Sequence, residues 1–229
     1  MNRFPGKYRY IVLTGNYGSG KTEIALNIAL DSARARQKTT LVDLDIVNPY
    51  FRSGEKVQEL EKEGIRTLMP TFALTTVDIP ALPAEIQSVF ELPCDRVVFD
   101  VGGDDTGAAA LGRYHPAFAA RQQETMTALV VNCMRPLTQT PDDIIDLAER
   151  IRNRSRMPID VMINNTNLAD QTTPEMVRMG ESIVRECAGK MGIAEMMNAG
   201  MAEVMEKVHS VLPAIIVRRY MVPEWMEDL

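Results

Sequence analysis

Cysteine, histidine and tryptophan are scarce in this sequence: its 229 residues include three, two and one of them. Cys94, Cys133 and Cys187 are scattered and form no CxxC pair. That excludes a disulfide framework and argues against a zinc or iron–sulfur site; the three read as reduced thiols, each a small buried hydrophobe. His115 and His209 have no companions at ligand spacing and read as structural residues. Basic charge is also short, with 25 Lys and Arg against 31 Asp and Glu and a net charge of −6. That balance disfavours bulk binding to nucleic acid. No apolar run approaches the ~18 residues that a membrane span needs. The start, Met1 to Lys7, is basic without a following uncharged apolar stretch, so no signal peptide is expected. A cytoplasmic location follows, with no membrane partner.

Linkers, repeats and low-complexity stretches are absent too, which leaves one domain over 1–229. Hydrophobic residues make up 45% and charged residues 24%, enough to bury a full core. Short apolar runs ending at turn signals alternate with helical patterns. The runs 8–14, 39–45, 65–69, 96–101, 127–131, 159–163 and 214–218 read as strands. The stretches 22–37, 54–63, 83–91, 116–123, 140–154 and 173–188 read as helices. Thr140-Pro141-Asp142-Asp143 and Thr173-Pro174-Glu175 are strong helix starts: threonine caps, proline takes the first turn and carboxylates face the positive helix end. Alternation of this kind predicts an α/β fold whose mostly parallel sheet is covered by helices on both faces.

The densest chemical signal is Gly15-Asn16-Tyr17-Gly18-Ser19-Gly20-Lys21-Thr22, a complete GxxxxGK[ST] between a predicted strand and a predicted helix. That context is the one the phosphate-binding P-loop (Walker A) motif requires. Its glycines let successive N–H groups turn toward one anion, and the helix that follows adds its positive end. Lys21 would reach the β- and γ-phosphates, and the Thr22 hydroxyl would ligate Mg²⁺. The motif makes the chain a binder of nucleoside triphosphate.

Two strand ends supply carboxylates. In Leu41-Val42-Asp43-Leu44-Asp45 the two aspartates share a face, and Asp45 is the better placed to hold the attacking water or a metal-bound water. In Val97-Val98-Phe99-Asp100-Val101-Gly102-Gly103, Asp100 has the position of a Walker B carboxylate that holds Mg²⁺ through water. Gly103 would offer its N–H to the γ-phosphate. Asp104 and Asp105 read either as groups around the metal or as a solvated turn and helix cap.

These motifs, in this order, resemble the MinD/ParA-like (SIMIBI-class, CobQ/CobB/MinD/ParA) P-loop NTPases, which include nitrogenase iron proteins and the CobB/CbiA-type and dethiobiotin synthetases. The resemblance implies that Asp45 positions the catalytic water beside Lys21, and that Asp100 to Gly103 is the second switch. MinD and ParA place a lysine second in the loop, reaching across a dimer interface; this chain has Asn16 there. Arg52, in the first-switch stretch 48–54, is a candidate replacement cation. An asparagine after the strand at 159–163 is implied to bind the purine, with Asn165 the best match and Asn164 next. An asparagine amide offers the donor and acceptor that suit adenine, and the guanine-reading NKxD is missing because Thr166 follows Asn165. ATP is favoured over GTP.

The expectation is a Mg²⁺-dependent ATPase that works as a nucleotide-dependent switch. Its partner would be a second copy with nucleotide at the interface, or another protein. The alternatives are an ATP-dependent small-molecule synthetase or kinase and a binder with negligible turnover. Eleven of the fifteen methionines lie after residue 156. They read either as flexible core filling or as an adaptable partner surface. The acidic tail 222–229 is no basic amphipathic anchor.

Overall fold

Strand β1 (Tyr10–Thr14) is buried along its whole length, and its successive side chains part to opposite faces, as a strand covered on both sides requires. Ile11 and Leu13 join one core cluster and Tyr10 and Val12 another. The structure, a computed structural model, describes residues 8–45, 54–69, 84–103 and 105–221. Asn48 to Ser53 with Arg52, as well as Asp104 and the tail 222–229, lie outside the described residues.

The strands that follow are β2 (Thr39–Leu44), β3 (Ile65–Leu68), β4 (Arg96–Val101), β5 (Thr125–Val131), β6 (Val161–Asn164), β7 (Glu195–Gly200) and β8 (Ala214–Ile216). They form one sheet in the order β3-β2-β4-β1-β5-β6-β7-β8, and every pairing is parallel. β1 lies between β4 and β5. The chain therefore moves to one side after β1 and to the other after β4, opening a crevice at the carboxyl ends of the central strands.

Helix α1 (Lys21–Arg34) packs Ile24, Ala25 and Ile28 on the Ile11, Leu41 and Val98 face, with Leu60 of α2 (Gly54–Lys62) beside it. The opposite face carries α3 (Ala84–Gln87), α4 (Asp105–Gly112) and α5 (His115–Ala119) around an aromatic core. There the Phe118 ring meets Phe90 and Phe99 edge-on, at 5.0 and 5.1 Å between centroids, a favoured geometry for aromatic pairs. Helices α6 (Pro141–Ser155) and α7 (Pro174–Met191) cover β5 and β6 through Ile144, Leu147 and Val184. Their starts are those expected from the sequence. Thr140 and Asp143 form a reciprocal capping box, and the Thr173 hydroxyl accepts the Met176 N–H.

Three elements differ from the pattern reading. β7 (EMMNAG) has no β-branched residue, yet it sits between β6 and β8 because sheet pairing and burial outweigh its propensity. Met197 is accordingly a strand residue, 4% exposed in the core. The glycine-containing α4 and the short α8 (Ala202–Met205) are crossover helices held by packing. All three cysteines are free, with Cys133 and Cys187 buried.

Candidate functional site

The loop between β1 and α1 turns on glycines with positive φ: 144° at Gly15, 69° at Gly18 and 88° at Gly20. Gly20 is constrained twice. A side chain there would adopt left-handed backbone, and its Cβ would stand 2.3 Å from Asn165 Nδ2. Lys21 is 7% exposed, and its ammonium donates to the Asn16 carbonyl oxygen at 2.9 Å, so the charge is curled back into the loop.

Thr22 and Asp100 meet beneath that loop, the hydroxyl donating to Asp100 Oδ2 at 2.6 Å. Asp100 is 2% exposed, and its other oxygen, Oδ1, is buried with no hydrogen-bond partner among the described residues. Burial pushes the Asp100 carboxyl up to about 6; Lys21 and the Thr22 bond pull it down, and Asp45 pushes it up. A buried carboxylate with one vacant oxygen, next to a hydroxyl, is a donor set that fits Mg²⁺. That ion typically takes one or two carboxylates and completes its shell with phosphate and water. Asp45 follows β2, and its N–H donates to Asp43 Oδ1 at 2.8 Å. Asp45 lines the cleft; Asp43 is fully buried in the strand.

Gly103 ends the turn after β4 against the loop itself. A Cβ on it would come within 2.5 Å of the Tyr17 nitrogen. The close approach demands glycine and couples the Asp100 strand to the phosphate loop.

The cleft above these groups has a volume of about 870 Å³. Asn16, Tyr17, Gly18, Gly20, Lys21, Thr22, Asp45 and Asn165 line it. Gly15 and Ser19 shape the loop from behind: a Cβ on Gly15 would strike the Val130 carbonyl, and Ser19 is 1% exposed. Asn165 Nδ2 donates to the Ser19 carbonyl at 2.8 Å.

Asn164 is a correction. It is fully buried and does not line the cleft. Its amide donates to the Val177 carbonyl at 2.9 Å and to Asn198 Oδ1 at 2.8 Å, and its Oδ1 accepts the Thr166 hydroxyl at 2.7 Å. It points into the sheet–α7 seam because β6 alternates its faces, and its polar atoms are spent there. The Asn16 amide bonds protein, donating to the Pro136 carbonyl at 3.1 Å.

Several cleft residues were not recognised in the sequence. Arg135, Pro136 and Leu137 come from the loop after β5, Asn167 from the loop after β6, and Gly200 and Met201 from the end of β7. Val217 and Arg219 complete the far wall. That wall is tied to α1: Asn27 exchanges hydrogen bonds with the Arg218 backbone at 2.8 Å each, and the Glu23 carboxylate accepts the Tyr220 and Met221 N–H groups. Arg219 pairs with Asp170 across the rim. No short motif encodes these contacts.

Solved structures share this architecture. The signal recognition particle 54 kDa protein from Aeropyrum pernix, in complex with GDP, is 22% identical with a TM-score of 0.53, over 85% of this chain and 42% of that one. The cell division protein FtsY from Thermotoga maritima is 16% identical with a TM-score of 0.55, over 86% and 64%. This chain has the P-loop NTPase α/β fold of these two proteins, one all-parallel sheet with helices packed on it. A nucleotide-binding protein from Archaeoglobus fulgidus, in complex with ADP, is 15% identical with a TM-score of 0.50, over 84% and 81%. The chain thus spans less than two thirds of the length of the first two proteins, and at these identities the likeness is one of fold. No family model matches the chain, and no curated protein does.

Proposed function

We propose that this chain is a Mg²⁺-dependent ATPase of the MinD/ParA-like kind, acting as a nucleotide-dependent switch. The observation that carries the reading is the Thr22–Asp100 pair with its vacant buried oxygen, set under a complete phosphate loop. Thr22 and, through water, Asp100 would hold Mg²⁺, which when bound neutralises charge on the β- and γ-phosphates. Lys21 adds a second positive charge, and Asp45 orients the attacking water. Gly103, packed on Tyr17, is suited to register whether the terminal phosphate is present.

Adenine is favoured by the chemistry of the cleft. A carboxylate reads guanine by accepting from its ring N1–H and its exocyclic amine together. The acidic residues among the described lining are Glu23 and Asp45, and Glu23 accepts backbone N–H groups of the far wall. Asp170 pairs with Arg219 and is outside the lining. Asn165 offers an amide instead. Three free thiols suit a reducing cytoplasm.

The switch reading requires a nucleotide-gated partner, either a second copy or another protein. The test is molar mass by light scattering with Mg²⁺ and a non-hydrolysable ATP analogue, then without nucleotide, with Lys21→Ala as control. Doubling from 25.6 kDa with analogue alone, lost in the variant, supports a gated homodimer. Unchanged mass while analogue binds removes it, and small carboxylates are then screened for stimulated phosphate release.

A further inference from the structure

The second position of the phosphate loop is uncharged, and its side chain serves as a tether. Asn16 Nδ2 donates to the Pro136 carbonyl at 3.1 Å while its Oδ1 accepts the Tyr17 N–H at 2.9 Å. The tether holds residues 132–138, the loop after β5, against the phosphate loop. That segment is fastened from behind as well. Asn132 Oδ1 accepts the Met134 and Asn167 N–H groups at 3.0 and 3.2 Å, and the Thr138 hydroxyl donates to the Asn132 carbonyl at 2.8 Å. The Arg135 N–H donates to that same carbonyl at 3.1 Å. Leu137 is held at a φ of 64°, a left-handed conformation that a leucine keeps only where its surroundings impose it.

This fastening sets the Arg135 side chain over Gly18. Its Nε lies 3.3 Å, and its Cζ 3.7 Å, from the position a Gly18 Cβ would take. The guanidinium therefore borders the same cleft as Lys21 and Thr22. Among the described residues no carboxylate forms a salt bridge with it.

We propose that Arg135 is a phosphate ligand supplied within the same chain, binding the β/γ end of the bound triphosphate. The inference rests on the nucleotide reading above and extends it to a residue no motif marks. A guanidinium presents a planar fork of donors matched to phosphate oxygens, and it stays charged at any working pH. A side chain on a loose loop would lose much of that benefit to ordering. Here the loop is already ordered, so the contact costs less. The arrangement also accounts for the asparagine: Asn16 brings a cation to the phosphates by docking its loop.

The test compares the full chain with Arg135→Ala, Arg135→Lys and Lys21→Ala. Binding of a non-hydrolysable ATP analogue and of AMP is titrated in Mg²⁺ across a salt series. Arg135→Ala should weaken the analogue by about 10-fold or more, as for loss of a hydrogen bond to a charged group. It should change AMP by less than about 2-fold and flatten the salt dependence of analogue binding, since one charge contact is gone. Arg135→Lys should restore part of the affinity and the salt slope. A variant that binds the analogue like wild type, while Lys21→Ala does not, overturns the role of Arg135 alone. Equal loss of analogue and AMP at an unchanged salt slope also overturns it, because that is the mark of a displaced loop. A wild-type chain that binds no nucleotide, or binds it independently of Lys21, overturns the nucleotide reading and this inference together.

Discussion

Asn165, just past β6, donates its side-chain amide to the Ser19 carbonyl in the loop after β1 at 2.8 Å. Two segments 146 residues apart in sequence are thereby locked at the point where the phosphate loop enters α1. Gly20→Ala would force a Cβ to within 2.3 Å of that amide. The left-handed strain and the broken bond together should cost roughly 2 kcal/mol, and triphosphate binding should fall with stability. Thermal melts of Gly20→Ala, Asn165→Ala and the double variant measure the coupling. If the losses simply add, the two residues are not coupled as described.

Asp100→Asn separates stability from function. The carboxyl is raised from 3.8 to about 6, chiefly by burial. A carboxyl whose folded value lies above its unfolded one gives stability that is complete below about pH 4 and lost as pH rises through about 6. The metal-free protein should therefore lose stability across that window. Asp100→Asn should flatten the profile and gain on the order of 2 kcal/mol near neutral pH, while losing Mg²⁺-dependent turnover. Melting temperature against pH in chelator is the measurement. An identical profile for the two proteins would refute the assignment of the titration to Asp100.

Asp45→Asn keeps the shape of the side chain and removes the charge that would orient water. Phosphate release should drop by about 100-fold or more, with affinity for a non-hydrolysable analogue within a few fold of wild type. Single-turnover phosphate release gives the answer. A variant as fast as wild type would reduce Asp45 to a wall of the cleft, and the chain to a binder.

Asn164→Leu distinguishes a base reader from a structural residue. Its amide and oxygen are bonded to Val177, Asn198 and Thr166 inside the protein. Removing them strands buried partners, and the expected loss is about 2–3 kcal/mol. The ratio of ATP to GTP affinity should not move. A changed ratio at unchanged stability would return Asn164 to the base site.

The phosphate loop, Asp45 and Asp100 were legible because local chain geometry is enough to specify them. A strand, a glycine-rich turn and a helix start must produce that loop, and a carboxylate ending a parallel strand must face the ligand crevice. Which of Asn164 and Asn165 borders the cleft was not legible from spacing, because it is set by the alternation of β6, which turns one asparagine inward and leaves its neighbour beside Ser19. β7 was invisible because EMMNAG has no strand-forming pattern of its own; its place between β6 and β8 comes from pairing with neighbours distant in sequence.

Residue pattern alone settled the α/β class, the parallel sheet and the phosphate loop, since periodicity, caps and glycine spacing act within a few residues of one another. The side of the cleft facing the loop was decided by tertiary contact. Arg135 reaches Gly18 because Asn16 and Asn132 dock its loop, and Arg219 reaches the rim because Glu23 and Asn27 hold the segment after β8. The bonds made by Asn16, Asn27 and Glu23 join residues more than a hundred positions apart. The free energy of such contacts exists only once the sheet has brought their partners together.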